Sequence, residues 1–395
     1  MDMQDREFAI IGAGIGGLAA ATALAQKGAR VRVFEQAEAL GEVGAGLQIS
    51  PNGVVVLKAL GLREAAAKLA NTPEAVVLRD YRGAEVVRLP MGATAEARYG
   101  QPYWQFHRAD LLKVLEEGAL RAGAELVFNH RLSGISASES KVQLEFTNGQ
   151  ALRTPCLIGA DGVRSTLRGL ALDGEPARFT GQVAWRGLVP SAQLPDGLFE
   201  NAAQVFMGKG RHFVAYPLRG GSLINFVAVE ERQGWADMGW NLPGRVDELR
   251  NAFKGFAAPV QVLLEAVEET FLWGLFNHPV LPRWSRGRVV LLGDACHPML
   301  PFLAQGAVMG LEDAYVLAGA FARADKIENG LQAYEKIRKS RATRVQKAAA
   351  RNAWSYHLRN PLFRSAAHKL LGMVPGGALM RQFDYLYGHD VTAGE

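Results

Sequence analysis

Three glycines near the start of this 395-residue chain have the spacing that a phosphate-binding turn requires. They form the pattern Gly12-x-Gly14-x-x-Gly17, which follows a run of β-branched and apolar residues. The first glycine permits a tight turn, the second lets the backbone approach a pyrophosphate, and the third allows close packing of a helix on a strand. The helix that begins after the turn supplies N–H groups and a partial positive charge for the phosphates. Gly12, Gly14 and Gly17 are therefore candidate cofactor-binding residues.

An acidic residue follows this turn near the distance at which a carboxylate holds a ribose hydroxyl. This residue is Glu35, at the end of the second predicted strand. A carboxylate there would repel a 2′-phosphate, so an unphosphorylated adenosine, as in FAD or NAD, is favoured. A tight strand–helix turn that binds no ligand is the alternative.

A second nucleotide-binding segment lies late in the chain. Asp294 ends a hydrophobic strand, where its carboxylate can accept hydrogen bonds from sugar or ribityl hydroxyls. The stretch from Pro301 to Met309 then leads into a helix that begins near Gly306 and includes Val308. The open N–H groups of that helix would face the pyrimidine carbonyl of a flavin and stabilise negative charge on reduction. A fold that binds only NAD has no evident use for this segment, so we expect FAD as the cofactor.

A histidine and a tyrosine in the middle of the chain are candidates for contact with a substrate. His212 and Tyr216 lie on a predicted strand, and their spacing places them on the same face. An imidazole and a phenol side by side could hold a phenolic oxygen or a carboxylate. His212 could also take a phenolic proton. The alternatives are a structural histidine whose hydrogen bonds are made within the protein and a tyrosine that packs in the core.

The order of the predicted elements indicates an α/β fold. Strands at 7–11 and 30–35 flank a helix over about 16–27, which is the start of a βαβ arrangement. From about 178 to 280 short β-type runs dominate, and after about 307 the chain has helical patterns to near Tyr387. We therefore predict a Rossmann-like FAD-binding domain (1–177 and 281–330), an inserted β-sheet substrate domain (178–280) and a helical C-terminal region (331–395).

Composition limits the location and the partners that we expect. The formal charge of +5 is modest for this length, and we expect no nucleic-acid partner. No run of eighteen apolar residues exists, so we expect no membrane span. Cys156 and Cys296 have no CxxC partner, so we expect no metal site and a reducing compartment. The charged first residues lead straight into a strand without a signal peptide, which favours a cytoplasmic protein.

Five motifs together resemble the group A flavoprotein aromatic hydroxylases, the family of p-hydroxybenzoate hydroxylase. Within that family the chain is most similar to salicylate hydroxylase and 3-hydroxybenzoate 6-hydroxylase, over about residues 6–350. The motifs are Gly12-Ala-Gly-Ile-Gly-Gly17, Gly44-Ala-Gly-Leu-Gln-Ile-Ser-Pro-Asn52, Phe106-His-Arg108-Ala-Asp-Leu111, Gly159-Ala-Asp-Gly-Val-Arg164 and Gly293-Asp-Ala-Cys-His-Pro298.

The resemblance implies cofactor roles for four residues. Arg108 would contact the phosphate or ribityl region of FAD, and Asp161 belongs to a segment implicated in handling both FAD and NAD(P)H. Asp294 would bind the ribityl chain, and Gln48 would lie near the isoalloxazine ring. A surface charge at a helix start is the alternative for Arg108, and a turn aspartate is the alternative for Asp161.

The resemblance also implies catalytic residues. In the 3-hydroxybenzoate 6-hydroxylase group, a His-x-x-x-Tyr-Pro element and a glutamine before the flavin glycine serve the active site. His212, Tyr216 and Gln305 of this chain fall on those positions.

The activity that the resemblance implies is that of an FAD-dependent monooxygenase. Such an enzyme uses NAD(P)H as co-substrate and O₂ to hydroxylate a small phenolic aromatic acid, salicylate- or 3-hydroxybenzoate-like, through a flavin C4a-hydroperoxide. FAD would be bound tightly but without a covalent bond. One alternative is a monooxygenase of a heteroaromatic acid or other non-benzoate substrate, and another is a non-catalytic binding protein on the dinucleotide fold. A homodimer stays open.

Overall fold

The computed structural model describes residues 3–41, 45–235 and 242–393. Gly44, the first residue of one of the five motifs, lies outside these ranges. Within the described part of the chain, none of the helices combines the length and the apolarity needed to cross a membrane.

Strands and helices are interspersed up to β19, and the rest of the chain is helical. The strands are β1 (Glu7–Ile11), β2 (Arg30–Phe34), β3 (Gly46–Ile49), β4 (Ala75–Asp80), β5 (Glu85–Pro90), β6 (Trp104–His107), β7 (Glu125–Val127), β8 (Leu132–Ala137), β9 (Val142–Phe146), β10 (Ala151–Thr154), β11 (Leu157–Gly159), β12 (Arg178–Pro190), β13 (Ala202–Gly208), β14 (Arg211–Leu218), β15 (Leu223–Glu231), β16 (Leu242–Gly244), β17 (Thr270–Asn277), β18 (Ser285–Arg286) and β19 (Val289–Leu291). The helices are α1 (Ile15–Gln26), α2 (Pro51–Ala59), α3 (Arg63–Ala67), α4 (Gly92–Tyr99), α5 (Arg108–Arg121), α6 (Thr166–Leu172), α7 (Val246–Ala252), α8 (Ala258–Glu265), α9 (Gly306–Arg323), α10 (Ile327–Tyr356), α11 (Pro361–Gly372), α12 (Gly376–Leu379) and α13 (Asp384–Tyr387).

A six-stranded sheet brings three nucleotide-binding segments to one edge, namely the glycine turn at Gly12, the motif at Gly159–Arg164 and the stretch that begins at Asp294. Its strand order is β18-β19-β11-β1-β2-β7, and all neighbours are parallel except β18 and β19. Ile11, Gly159 and Leu291 are in register at the carboxyl ends of β1, β11 and β19. Ligands of open α/β sheets bind outside the carboxyl ends of the strands. The predicted βαβ start is confirmed in β1, α1 and β2.

An eight-stranded sheet forms the second layer of the molecule, in the order β16-β17-β12-β15-β14-β13-β4-β5. One face packs on α7 and α8 through an aromatic core that includes Trp185, Phe213 and Phe253. The opposite face packs on the segment before α9, where Leu300 and Phe302 meet the sheet. The prediction of an inserted sheet with helices on one side is confirmed.

Two strands of this sheet come from a segment that the sequence pattern did not assign to it. Strands β4 and β5 lie within residues 75–90. Strand β4 pairs in parallel with β13, which lies more than one hundred residues later in the chain. The pattern missed them because pairing between distant segments leaves no local periodicity. The predicted limits of the domains stay a prediction, but residues 75–90 share the sheet of the segment 178–280.

The C-terminal part of the chain is helical, as predicted, and its first helix packs closely on α1. A Cβ atom on Gly310 of α9 would lie 3.5 Å from the Cα of Gly16, an ordinary van der Waals distance, so the backbones of the two helices approach each other closely. The following helix, α10, is 30 residues long and ends at Tyr356, beside His212 of the eight-stranded sheet.

Candidate cofactor and substrate site

The three glycines of the N-terminal turn have different physical reasons to be glycine. Gly12 has a φ of +102°, and a Cβ there would lie 2.5 Å from the carbonyl oxygen of Ala160. A Cβ on Gly17 would lie 1.9 Å from the carbonyl oxygen of Gly12. Gly14 has an ordinary φ of −79°, and no atom of the described residues lies within 4 Å of its Cβ position. The fold itself does not require Gly14, so its missing side chain leaves space for a ligand at the start of α1.

Glu35 lies directly after β2 and points back to the glycine turn. Its Oε2 accepts a hydrogen bond of 2.9 Å from the backbone N–H of Ala13, and its Oε1 accepts one of 3.0 Å from Ala37. The carboxylate is therefore held beside the turn where a ribose would lie next to a bound pyrophosphate.

Asp294 and Arg108 come together from distant parts of the chain. Asp294 lies just beyond β19, and Arg108 is the first residue of α5. The Asp294 side chain has a surface accessible to solvent, but it lies deep in an opening and many protein atoms surround it. This enclosure raises the pKa of its carboxyl. Burial lowers the pKa of Arg108, and the nearby Asp294 carboxylate opposes that effect. A charge pair in a deep opening suits a polar ligand that carries hydroxyl and phosphate groups.

The N-terminus of α9 faces the same opening. A Cβ on Gly306 would lie 3.5 Å from Oδ1 of Asp294, and among the described residues no side chain caps the helix. Ala304 has a left-handed φ of +52°, which turns the chain from the Pro301–Leu303 segment into the helix. The first N–H groups of α9 are thus left for a ligand, as the sequence predicts.

Val308 and Met309 place their side chains in the interior rather than in the opening. Val308 is fully buried, with its methyl groups near the Cβ position of Gly53 on α2. The sulfur of Met309 accepts a hydrogen bond from Arg338, and the backbone N–H of Met309 donates to the carbonyl oxygen of Gln305. A cofactor contact at Val308 would therefore come through its backbone amide.

Asp161 uses its carboxylate within the protein. Its Oδ1 accepts a 2.5 Å hydrogen bond from the Ser165 hydroxyl, and its Oδ2 accepts one of 3.0 Å from the N–H of Leu167. These bonds tie the carboxylate to the start of α6, which is the geometry of the turn-aspartate alternative. The backbone of Asp161 lies 3.1 Å from the Cβ position of Gly12, so the residue helps to shape the glycine turn. A cofactor role for Asp161 stays a prediction.

Gln305 belongs to a buried polar network. Its Nε2 donates to the Ser50 hydroxyl at 2.8 Å, and its Oε1 accepts from Asn52 at 3.3 Å. Asn52 also donates to Glu312 of α9 at 2.8 Å. Gln305 therefore fixes the start of α9 against α2, and a direct contact of its side chain with a substrate stays a prediction.

Strand β3 connects the cofactor region with the eight-stranded sheet. Gln48 accepts a 2.6 Å hydrogen bond from the Tyr103 hydroxyl. A Cβ on Gly46 would lie 2.6 Å from the hydroxyl oxygen of Tyr216, and the Gly46 N–H donates to Asn225 at 2.7 Å. The sheet face that carries Tyr216 thus lies directly against the strand that carries Gln48.

His212 and Tyr216 lie on the same face of β14, as predicted, and both are buried. Nδ1 of His212 lies 2.7 Å from Nε2 of His357, and its ring packs against Phe302 and Tyr356. Burial, and then the neighbouring His357, lower the pKa of His212 well below its ordinary value. The imidazole is therefore neutral near pH 7.

The sequence patterns missed two residues of this region. Arg186 interrupts an apolar strand, which is a signal that could have found it. Its guanidinium lies 5.1 Å from the ring centre of Trp273, and its side chain is 2% exposed. His357 follows the end of a long polar helix and carries no local signal, because its contact with His212 spans 145 positions.

These positions fit an FAD molecule. The space at Gly14 suits the pyrophosphate, Glu35 suits the ribose, and Asp294 with Arg108 suits the ribityl and phosphate groups. The uncapped start of α9 suits the flavin ring. The chain's own residues provide each of these partners at one edge of the six-stranded sheet.

Comparison with known proteins agrees with this assignment. The profile of the family described as "FAD binding domain" matches residues 5–349. The chain is 38% identical to 6-hydroxynicotinate 3-monooxygenase of Bordetella bronchiseptica, covering 90% of this chain and 93% of the relative. It is 36% identical to a salicylate hydroxylase of Pseudomonas putida, covering 97% and 92%.

A solved structure gives the same result. The crystal structure of Klebsiella pneumoniae HpxO with FAD and uric acid superposes with a TM-score of 0.85 at 27% identity, covering 98% of this chain and 97% of HpxO. The non-catalytic alternative is set aside, because these relatives are monooxygenases and hydroxylases of aromatic rings. The chain is an FAD-binding protein and belongs to the family of FAD-dependent aromatic-ring monooxygenases.

Proposed function

We propose that this enzyme uses NAD(P)H and O₂ to hydroxylate a small phenolic aromatic acid, salicylate- or 3-hydroxybenzoate-like. The aromatic ring of the substrate would lie between the start of α9 and the face of the eight-stranded sheet that packs on Leu300 and Phe302. The observation that supports this proposal best is that three polar groups, Arg186, His212 and Tyr216, lie on one buried face of the sheet beside apolar side chains.

The register of the sheet supports a shared face for these three residues. Arg186 pairs with Val227 of β15, and Val227 pairs with Val214 of β14. Because cross-strand partners share a face, Arg186 lies on the face of Val214, which by alternation is also the face of His212 and Tyr216. The two valines between them offer an apolar surface on which an aromatic ring can lie.

Arg186 is our candidate for binding the carboxylate of the substrate. Burial, and then the charge of Arg108, lower its pKa to about 10, so it stays cationic at neutral pH. Its planar guanidinium can hold a carboxylate through two hydrogen bonds, and the rings of Phe271 and Trp273 keep it in place.

His212 and Tyr216 are our candidates for handling the phenolic oxygen. Burial raises the pKa of Tyr216, so its hydroxyl stays protonated and can donate a hydrogen bond. The neutral His212 can accept the phenolic proton, which makes the ring more electron-rich. The chemistry that FAD supplies when bound is hydride acceptance and transfer of one oxygen atom to the ring.

A hydroxylated heteroaromatic acid is the second candidate substrate. It is favoured by the 38% identity with 6-hydroxynicotinate 3-monooxygenase over 90% of this chain. A hydroxypyridine carboxylate presents the same ring, carboxylate and hydroxyl oxygen to Arg186, His212 and Tyr216. The cytoplasmic location and the homodimer also stay predictions.

The test is substrate-stimulated oxidation of NADH and NADPH with identification of the product. Salicylate, 3-hydroxybenzoate and 6-hydroxynicotinate would be compared with the matching phenol and hydroxypyridine that lack a carboxylate. Hydrogen peroxide must be measured in parallel, because a compound can stimulate oxidation without being hydroxylated. We expect at least one acid to give a hydroxylated product. Hydroxylation of the compounds without a carboxylate, and of none of the acids, would contradict the proposal.

A further inference from the structure

Two buried histidines and a carboxylate join the proposed substrate surface to the outside of the protein. Nδ1 of His212 lies 2.7 Å from Nε2 of His357, and Nδ1 of His357 lies 3.4 Å from Oε1 of Glu231. Both histidines are nearly fully buried, whereas the Glu231 side chain is 25% exposed. Oε2 of Glu231 pairs with the exposed Arg359.

The outer end of this chain of groups opens into a surface cleft. Glu231 lines a cavity of about 530 Å³ together with Arg211 and Arg359. Water in such a cleft can exchange protons with the carboxylate. The inner end is His212, and no hydrogen bond joins its Nε2 to any of the residues in the described ranges.

We propose that His212, His357 and Glu231 form a proton relay that carries the phenolic proton of the bound substrate out to solvent. This inference rests on the proposed function, because the proton comes from a phenolic substrate at His212. His212 would contact the substrate, whereas His357 and Glu231 act through it and are positioning residues.

The transfer balances without any further reactant. At the start His212 carries its proton on Nδ1 and His357 carries its proton on Nδ1. The substrate O–H bond breaks and its proton bonds to Nε2 of His212, while the proton on Nδ1 passes to Nε2 of His357. The proton on Nδ1 of His357 passes to Glu231 and then to water. One proton leaves, no electron is transferred, and both imidazoles end neutral in the other tautomer.

The burial of the two histidines disfavours a state in which either imidazole keeps the extra proton. Burial lowers the pKa of His357 to about 4, although Glu231 opposes the effect. An imidazolium held at either position would be a buried cation, which is costly. A proton taken up by His212 is therefore not held on either ring but passes towards Glu231, whose side chain is 25% exposed and lines the surface cleft.

Gln182 can serve both tautomers of His357. Its amide lies 3.2 Å from Nδ1 of His357 and presents its nitrogen, while its oxygen is buried without a hydrogen bond among the described residues. The nitrogen donates to Nδ1 when that atom carries no proton. After rotation of the amide, the oxygen accepts from Nδ1 when it does.

The experiment follows proton release on ligand binding, in the holoenzyme and without NAD(P)H, so that no turnover is needed. The ligand is a nitro-substituted hydroxybenzoate whose phenolate absorbs at a longer wavelength than its phenol. Stopped-flow absorbance measures the bound phenolate, and a pH-indicator dye measures the released proton. The variants are His357→Gln and Glu231→Gln, which keep hydrogen bonds but cannot relay a proton. His368→Gln, on α11 and outside the relay, is the matched control.

We expect the rate of proton release to fall about tenfold or more in both relay variants, while the dissociation constant of the ligand changes by less than about threefold. The control should match the parent. A His357→Ala variant should regain the rate when imidazole is added. Unchanged release rates in His357→Gln and Glu231→Gln would overturn the relay, and weaker ligand binding with an unchanged release rate would assign His357 a purely structural role.

A second measurement separates failure of the relay from failure of the proposed function. If no hydroxybenzoate perturbs the flavin spectrum of the parent, the proposed function fails. Nitrogen-15 NMR of the histidine rings still tests the relay in that case. We expect both His212 and His357 to be neutral and protonated on Nδ1 at pH 7. A charged ring, or a proton fixed on Nε2 of His357, would overturn the relay.

Discussion

Nε of Arg338 donates a 2.7 Å hydrogen bond to Oδ1 of Asp313, and both side chains are almost completely buried. The same guanidinium donates to Glu312 at 2.6 Å. Oδ2 of Asp313 accepts from the N–H of Gly293 at 2.9 Å and lies 2.5 Å from Nε2 of His297. This ion cluster thus joins α10 and α9 to the segment that carries Asp294. The cluster therefore holds that part of the cofactor site in position.

Replacing Arg338 by methionine should destabilise the fold strongly. The change leaves Glu312 and Asp313 buried with fewer positive partners, which costs about 3–5 kcal/mol of unfolding free energy. Chemical unfolding of the apoprotein measures this. Lys336→Met, at an exposed position on the same helix, should change the free energy by less than about 0.5 kcal/mol. Equal stabilities of the two variants would show that the cluster does not support the fold.

Acid should weaken the fold through Asp313. Burial alone would raise the pKa of Asp313, but His297 and Arg338 outweigh it and hold the pKa at about 2. Because this pKa is depressed below the unfolded value of about 3.9, the stabilisation is present above pH 4 and is lost as the pH falls towards 2. The contribution is on the order of 2 kcal/mol. Urea unfolding at several pH values should show this loss, and Asp313→Asn, although less stable throughout, should show a smaller one.

Gly14 and Gly17 should respond differently to a single added methyl group. Gly14→Ala places its Cβ where no atom from the described part of the chain lies within 4 Å, so the apoprotein should keep its melting temperature while FAD affinity falls about tenfold, or 1.4 kcal/mol. Gly17→Ala forces its Cβ against the Gly12 carbonyl and should destabilise the apoprotein by about 1–3 kcal/mol. Flavin titration and thermal unfolding separate the two effects. A Gly14→Ala variant with the FAD affinity of the parent would argue against pyrophosphate binding at this turn.

Removing the charge of Asp294 should weaken FAD binding without weakening the apoprotein. The enclosure of Asp294 raises the pKa of its carboxyl, so the charged form is disfavoured in the fold. Asp294→Asn should leave the melting temperature of the apoprotein unchanged or higher, because that unfavourable charge is gone. Quenching of flavin fluorescence on binding measures the affinity, with the exposed Asp196→Asn as control. A large drop in apoprotein stability would mean that Asp294 is a structural residue.

Arg186 should determine the affinity for the carboxylate of the substrate. Arg186→Met removes a charge-assisted hydrogen bond worth about 1.5–3 kcal/mol, so KM for the aromatic acid should rise roughly 10- to 150-fold. Arg186→Lys should recover part of the affinity, because it keeps the charge but loses the fork of donors. Steady-state kinetics with the acid and with the matching phenol test this. An equal effect on both compounds would exclude a specific contact with the carboxylate.

The sequence by itself determined the parts of this protein that depend on local chemistry. Gly12 and Gly17 are needed by the turn in which they lie, and the hydrophobic runs ending at Ile11, Gly159 and Leu291 define buried parallel strands. Those strand ends place the three nucleotide-binding segments at one edge, so the FAD-binding fold followed from short-range patterns.

Only the tertiary structure decided which side chains meet across the chain. Gln305 is engaged in a buried network with Ser50 and Asn52, which come from a distant segment of the chain. His357 reaches His212 only because the 30-residue helix α10 ends at the sheet. Contacts between residues separated by a hundred or more positions depend on how the layers pack, and packing leaves no period in the sequence.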